Sequence, residues 1–295
     1  MRRALFLGIG LALTTTTALA GPRTWVGAGP RAWDETWEVT ARPDVHVLAD
    51  DAHVRFHAGP AGKVTAHVVY ELKHWGLVIG MREPSVMFEH KGDQIWITAR
   101  DPKGVGVIGG VYENFTVDVT VPSQVTLSAR TGDGAVDCEP LEGRFTFETG
   151  DGAVRAHGLK GDFDVSTGDG RVVLDEMDGR LHARTGDGHV TASGRFDALD
   201  LSTGDGRVDA TARAGSRMAQ AWSLQTGDGA VMLRMPHDIA ALLDVRTRDG
   251  HINVQLPISV SGRLSHRQIV GELNGGGPPI RVRTGDGGIT LALSD

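Results

Sequence analysis

Three groups of side chains in this 295-residue chain could do chemistry. The first is a series of aspartates: Asp133, Asp151, Asp169, Asp187, Asp205, Asp228, Asp249 and Asp286. Each is the third residue of a Thr-Gly-Asp-Gly phrase, except that the phrase from Thr247 reads Thr-Arg-Asp-Gly. A repeated Gly/Asp turn could collect oxygen ligands for calcium. Calcium-binding repeats of this kind use two facing Gly-rich turns per coil. Here one turn per coil carries the phrase, and it supplies a single carboxylate among neutral neighbours. The aspartates are therefore expected to be structural turn residues, each accepting a backbone N–H of its own turn, in a calcium-independent fold.

The second group is histidine: His46, His53, His57, His67, His74 and His90. His53 and His57 share one face of a strand, but four residues of strand span ~13 Å, too far for one ion. No helical His-x-x-x-His and no cysteine pair accompany them. They are expected to be surface histidines, and no metal or other cofactor is expected. The third group is the outward acids Asp137, Glu139, Asp164, Asp175, Asp200 and Asp209. Glycoside hydrolysis needs two carboxyl groups converging in a cleft. The spacing singles out no pair, so no catalytic residue is expected. Cys138 is the single cysteine, which rules out an internal disulfide. It falls at an inward position and reads as a small buried hydrophobe. Gly275-Gly276-Gly277 lacks the following helix and lysine of a phosphate-binding loop; it suggests a tight turn or a close backbone approach.

The elements that carry these groups follow from the repeat. Thr-Gly-Asp-Gly begins at Thr131, Thr149, Thr167, Thr185, Thr203, Thr226 and Thr284, and the first four intervals are 18 residues. Counting from Thr167 as zero, apolar residues fall at offsets 5 (Val172), 7 (Leu174), 10 (Met177), 14 (Leu181) and 16 (Ala183). The coils from Thr131 and Thr149 repeat this with Val136, Cys138, Leu141, Phe145, Phe147 and Val154, Ala156, Leu159, Phe163, Val165. In the coil from Thr185, Arg195 breaks offset 10. Apolar residues two apart share a strand face, so each coil is two short strands facing one interior, with one apolar peg between. No 3.6 period appears, which excludes helix. A left-handed hexapeptide β-helix would need an aliphatic residue every six, and the pattern lacks it. The fold class predicted is all-β: a parallel β-solenoid of about 18-residue two-strand coils whose stacking makes a continuous core. Glycine is expected in the turn for its access to positive φ, and threonine for hydroxyl contacts between coils.

Residues 1–20 read as a signal peptide, with Arg2-Arg3, an apolar run and Ala18-Leu19-Ala20 before the cut. Residues 21–34 read as a flexible lead-in and 35–122 as an N-terminal β region that caps the solenoid of 123–295 and protects its open edge. Strands are expected at 36–40, 45–48, 53–57, 64–71, 85–90, 94–99 and 114–121, with Trp75 to Met81 as a buried connection or exposed loop. Thr211 to Ala221 contains a five-residue insertion. The 37-residue interval from Thr247 to Thr284 is about two coils, as if one coil had lost its phrase.

A net charge of −7 argues against nucleic acid as a partner, and no segment of the mature chain is long and apolar enough to span a bilayer. Phe145, Phe147, Phe163 and Trp222 sit at inward offsets, leaving the outward rows almost without aromatic residues for sugar stacking. Phe115-Thr116-Val117-Asp118-Val119-Thr120-Val121-Pro122, the serial Thr-Gly-Asp-Gly coils, and Leu273-Asn274-Gly275-Gly276-Gly277 before Ile280-Arg281-Val282-Arg283-Thr284 together resemble the bacterial putative-adhesin family, related to adhesin head domains. That resemblance implies an exported β-solenoid without established catalytic residues. The expected function is a non-enzymatic scaffold or adhesin-like binding module, exported to the periplasm or cell surface, whose partner is a protein or glycan of the cell envelope. Two alternatives remain: a periplasmic protein-binding partner of an envelope-stress or signalling system, and a polysaccharide-acting enzyme.

Overall fold

The computed structural model describes residues 23–26, 31–40, 42–79, 83–102, 106–256 and 265–294, with backbone alone at 23–26, 73–79 and 106–112. The segment read as a signal peptide lies outside the described residues. The strands of the N-terminal part are β1 (Arg23–Val26), β2 (Arg31–Glu38), β3 (Asp44–Ala49), β4 (His53–Gly59), β5 (Lys63–Ile79), β6 (Ser85–Lys91), β7 (Gln94–Arg100) and β8 (Gly106–Pro122). The regular coils supply β9 (Gln124–Thr131), β10 (Val136–Cys138), β11 (Glu142–Thr149), β12 (Val154–His157), β13 (Lys160–Thr167), β14 (Val172–Thr185), β15 (Val190–Thr203) and β16 (Val208–Ala212). The C-terminal part adds β17 (Trp222–Thr226), β18 (Val231–Met235), β19 (Ala241–Thr247), β20 (Ile252–Gln255), β21 (Gln268–Leu273), β22 (Pro279–Thr284) and β23 (Ile289–Leu293).

These strands form two facing rows. The row leading into the Thr residues runs β1–β6–β7–β3–β9–β11–β13, then the C-terminal halves of β14 and β15, then β17–β22–β19–β21. The row leaving the turns runs β2–β5–β8–β4–β10–β12, the N-terminal halves of β14 and β15, then β16–β18–β23–β20. Pairing is parallel throughout the middle and antiparallel at the N-terminal end of both rows and between β19 and β21.

Between the rows lies one core. Val136, Val154, Val172, Val190 and Val208 pair coil to coil in a single column, each with no exposed surface. The opposite row supplies Leu127, Phe145, Phe163, Leu181, Leu199 and Trp222 in register. Cys138 is buried with only 6% exposed, and burial, with Glu139 and Asp137 beside it, pushes its thiol well above the ordinary value. It should react slowly with a thiol reagent in the native protein and rapidly after denaturation, followed by absorbance; rapid native labelling would contradict its place in the core. In the coil from Thr185 a bulge lets Gly194 pair with Met177 and Arg195 with Asp178, so that Phe196 enters the core fully buried where the repeat predicted a peg.

The turn glycines do a different job from the one predicted. None of the Thr-Gly-Asp-Gly glycines has a positive φ. They are needed because the coils stack too closely for a side chain: a Cβ on Gly152, Gly170, Gly188 or Gly206 would come within 1.9–2.0 Å of the carbonyl oxygen of the glycine one coil earlier. A second glycine column, Gly143, Gly161 and Gly179, does have positive φ (126–152°), and so does Gly194 beside Met177 (149°); a Cβ at any of the four would also meet the preceding coil's backbone, at 1.8–2.1 Å. The threonines are buried, and each hydroxyl reaches carbonyls of the coil before it, as Thr167 Oγ1 does to Gly150 O (3.0 Å) and Gly152 O (3.2 Å). In return Gly170 N–H donates to Thr167 Oγ1 at 3.1 Å. These contacts join threonine to backbone rather than threonine to threonine.

Both ends depart from chain order. At the N-terminal end, β3 and β4 form a coil inside the stack, between β7/β8 and β9/β10. Ala49-Asp50-Asp51-Ala52 is thus a turn of the same column: Thr131 Oγ1 donates to Ala52 O (3.0 Å) as other threonines donate to glycine. At the C-terminal end, β22 and β23 occupy the slot next to β17 and β18, and β19 with β20 lies outside them. Among the described residues the long interval holds no further coil: after β20 it carries the edge strand β21, antiparallel to β19, and a reversal. That reversal is Asn274-Gly275-Gly276, all at positive φ (51, 85 and 82°), with Asn274 Nδ2 donating to His237 O and Ile239 O (2.7 and 2.8 Å). Gly277 follows because a Cβ there would lie 2.4 Å from Ala240 O.

Two other expectations change. The lead-in of 21–34 carries β1 and the start of β2. Trp75 to Ile79 is neither loop nor connection but the end of β5, which pairs with β8 as far as Ile79 opposite Gly106. β2 reaches only Tyr70 and β4 only Thr116, so residues 72–79 and 106–113 form a two-stranded ribbon beyond them.

Candidate functional site

The eight turn aspartates lie in the bends between strands, with exposed side chains. The carboxylates of Asp133, Asp151, Asp169, Asp187, Asp205 and Asp228 point toward the next coil. Asp187 N–H donates to Asp169 Oδ1 (3.2 Å), and Asp133 N–H to Asp51 Oδ1 (2.9 Å). At Gly150, Gly168, Gly204, Gly227 and Gly285 a Cβ would come within 3.0–3.2 Å of the preceding coil's Asp Oδ1. At Asp169 the bond runs to the next coil rather than within the turn. Asn offers the same acceptor. Asp169→Asn should leave the melting temperature within about 2 °C of wild type, while Asp169→Ala, which loses one hydrogen bond of about 1 kcal/mol, should melt lower. An Asn variant that melts below the Ala variant would contradict this bond.

The column extends further than the phrase. Asp51 N–H donates to Asp101 Oδ2 (3.2 Å), and Asp101 N–H to Asp50 Oδ2 (3.2 Å). Burial, with Asp51, Glu113 and Asp50 nearby, pushes the Asp101 carboxyl up to about 6. On the adjoining outward surface, burial alone would lower His57, but its bonds to Glu139 (2.9 Å) and Asp118 (3.4 Å) prevail and raise it. Both groups hold protons more tightly in the folded state. Their stability contributions are present at low pH and lost as pH rises, for Asp101 between 3.8 and about 6 and for His57 from 6.5 upward. Glu139, lowered chiefly by its bond to His57, acts oppositely: its contribution is complete above 4.5 and lost on acidification below that value. The melting temperature should therefore be higher at pH 5.5 than at pH 7.5 (roughly one unit to either side of the ordinary histidine value), and Asp101→Asn should shrink the difference. A flat or opposite profile would refute the assignment.

The outward histidines pair with acids on neighbouring coils: His53 with Asp137 (2.6 Å), His67 with Asp34 (2.6 Å) and His157 with Asp175 (3.5 Å) and Glu176 (3.4 Å). Among the described residues, no group of three or more His, Cys, Asp or Glu side chains converges as a metal site. Arg55, His57, Asp137, Glu139, Arg155, His157 and Asp175 line a hollow of about 390 Å³ on the row leaving the turns.

A larger hollow, about 560 Å³, lies on the other row across β11, β13, β14, β15 and β17. Its outward side chains include Arg144, Asp162, Asp164, Arg180, His182 and Asp200, with Ala198 leaving a dip beside Arg180. One wall is the insertion after β16, held by Arg213 N–H to Gly194 O (2.7 Å), Arg217 N–H to Phe196 O (3.1 Å) and Gln220 N–H to Asp197 O (3.2 Å). Arg180 grips Asp162 with two bonds, Nε–Oδ1 2.7 Å and Nη2–Oδ2 2.8 Å, and that carboxylate holds its guanidinium pKa up. His182 Nδ1 lies 3.0 Å from Asp200 Oδ2. Of the six outward acids picked from sequence, Asp137, Glu139, Asp175, Asp200 and Asp209 each meet a basic partner; Asp164 projects into the large hollow with no ion pair among the described residues. Arg144, Arg180, His182 and Gln220 were not picked as site residues. Once the 18-residue period is known, a residue's neighbour on the next coil can be counted off.

A two-row β-solenoid, parallel through its middle, with side-chain hollows on its outer faces is the class of protein that this fold defines. The chain belongs to the Toastrack DUF4097 family, whose model matches residues 50–292. No curated protein matches it. Among solved structures it is similar to a putative cell adhesion protein from Clostridium sporogenes (12% identity, 90% of this chain and 100% of that one, TM-score 0.33). It is also similar to a putative adhesin from Bacteroides fragilis (8%, 90% and 97%, 0.35) and a putative lipid binding protein from Parabacteroides distasonis (11%, 90% and 98%, 0.45). No helix among the described residues is long and apolar enough to cross a membrane.

Proposed function

We propose that this protein is a non-enzymatic, exported binding module of the cell envelope, adhesin-like in that it presents a rigid rod with recognition groups fixed along it. The observation that carries this reading is the 560 Å³ hollow crossing several parallel strands. Its polar groups stand on strands locked in register, so little ordering is needed on binding. Its charges are largely paired with one another, Arg180 with Asp162 and His182 with Asp200. Asp101, the carboxyl raised to about 6, lies at the N-terminal turns, outside the hollow. The supporting experiment is capture of envelope material on the immobilised protein. A partner retained by wild type and lost with His182→Ala supports the reading. Release of reducing ends from an envelope polysaccharide, abolished by Asp164→Asn, would replace it with an enzyme.

The β5–β8 ribbon favours a second reading, a protein partner in a signalling or envelope-stress system. Its sequence is apolar on both strands (Trp75, Leu77, Val78 and Ile79; Val107, Ile108 and Val111), and among the described residues its strands pair only with each other. Loss of a captured protein with Leu77→Asp, but not with His182→Ala, would select it.

A further inference from the structure

The large hollow has a neighbour. A second hollow of about 320 Å³ lies on the same row of strands, lined by His46, Trp96, Thr98, Ser128, Arg130 and Glu148 among others. The two are joined by register. Trp96 pairs with His46, His46 with Ser128, Ser128 with Thr146, Thr146 with Asp164, Asp164 with His182, His182 with Asp200 and Asp200 with Ser223. These residues make one continuous line along the stacking axis, about 34 Å long at the usual strand spacing. Thr146 of the large hollow is the direct neighbour of Ser128 in the smaller one.

We propose that this line binds a linear, uncharged polysaccharide lying along the solenoid axis. The inference rests on reading the hollow as a binding surface, and it names the ligand's chemistry. Four features select that chemistry. The line presents hydroxyl, imidazole and carboxylate groups at regular steps, donors and acceptors suited to a chain of sugar hydroxyls. At one end the Trp96 and His46 rings are nearly parallel, 10° apart with centroids 5.7 Å from each other, and offer aromatic surface to the apolar face of a sugar. The charged residues flanking the line are paired across coils, Arg180 with Asp162 and Arg130 with Glu148. A strongly charged polymer would have to break those pairs, and a polyanion would also face Asp164 and Asp200. Finally, the line runs over the middle of a sheet whose backbone groups are spent in the ladder, so an extended peptide could not add itself as a strand.

The test is calorimetric titration of the purified protein with cellohexaose, chitohexaose, xylohexaose and mannohexaose, the corresponding disaccharides, and an alginate hexamer as the anionic comparison. The expected result is saturable binding of at least one neutral hexasaccharide, weaker by about tenfold for its disaccharide because fewer contacts are made. Trp96→Ala and Asp164→Ala should each weaken it at least about fivefold, the loss of one good contact. Arg155→Ala, on the opposite row, should change nothing, and the melting curves of all three variants should match wild type. Four outcomes would overturn the proposal: no binding by any neutral hexasaccharide, affinity indifferent to Trp96 and Asp164, equal affinity for the disaccharide, or preference for alginate. Capture of an envelope protein that depends on His182, with no sugar bound, would leave the binding-module reading standing and remove this one.

Discussion

Gly170→Ala is expected to destabilise the protein by at least about 3 kcal/mol, which for a chain of this size lowers the melting temperature by roughly 6–12 °C. A methyl group is the smallest side chain there is, and Gly170 has an ordinary negative-φ backbone, so φ strain is not the cause. The cause is contact. A Cβ at Gly170 would lie 2.0 Å from Gly152 O, 2.7 Å from Gly152 C and 2.5 Å from Thr167 Oγ1. Two of those atoms belong to the backbone of the preceding coil and cannot rotate away. The third is the hydroxyl that joins the two coils. Relief would require the coils to separate, which would break Thr167 Oγ1 to Gly152 O, and the Thr167 hydroxyl to move away from Gly170, which would break the bond it accepts from Gly170 N–H within the turn. Gly92 is the control. It has φ of 61° with nothing within 4 Å of where a methyl would sit, so Gly92→Ala should cost only the left-handed penalty of about 1–2 kcal/mol. If Gly92→Ala proves worse than Gly170→Ala by thermal melting, conformational freedom rather than close stacking explains the turn glycines.

That contrast shows what the sequence could and could not disclose. The 18-residue period, the inward rows and the buried cysteine are local patterns, and local patterns survive in sequence because each coil repeats the same contacts. The reason for the glycines is a distance between coils, which no single coil contains. The order of the coils at the two ends was hidden for the same reason: β17 pairs with β22 across more than fifty residues of chain. A trace of that order was present nonetheless. Turns that depart from Thr-Gly-Asp-Gly, such as Ala49-Asp50-Asp51-Ala52 and Thr247-Arg248-Asp249-Gly250, lie toward the two ends of the column. At Arg248 the stacking bond to Gly285 O is 2.8 Å, looser than the 2.5 Å between Gly168 and Gly150, so a side chain fits. A degenerate turn marks a place where close packing is no longer required. The candidate groove was legible in part. Arg180 and Asp162 stand 18 residues apart and could be paired by counting, whereas His53 and Asp137 stand 84 apart and could not.

Val172→Asp is expected to cost about 4 kcal/mol or more, enough to abolish cooperative melting of the middle coils. Val172 has no exposed surface and lies between Val154 and Val190 in a column of valines. Losing the valine side chain forfeits about 1.5–3 kcal/mol of burial, and a carboxylate placed there has neither cation nor donor within the column. Either the acid is buried neutral or the coils part to admit water. Because each coil touches only its neighbours, a defect in the middle also uncouples the two halves of the stack. The neighbouring residue sharpens the test. Val173 points outward, in register with Arg155 and Thr191, and lines the smaller hollow on that row. Val173→Asp should change stability by no more than about 0.5 kcal/mol, because a surface acid beside an arginine is well tolerated. Side chains alternate faces along a strand, so two adjacent substitutions of the same kind must give opposite results if the register is right. Denaturant melts of both variants decide it: equal losses, or a larger loss for Val173→Asp, would refute the register of the entire column.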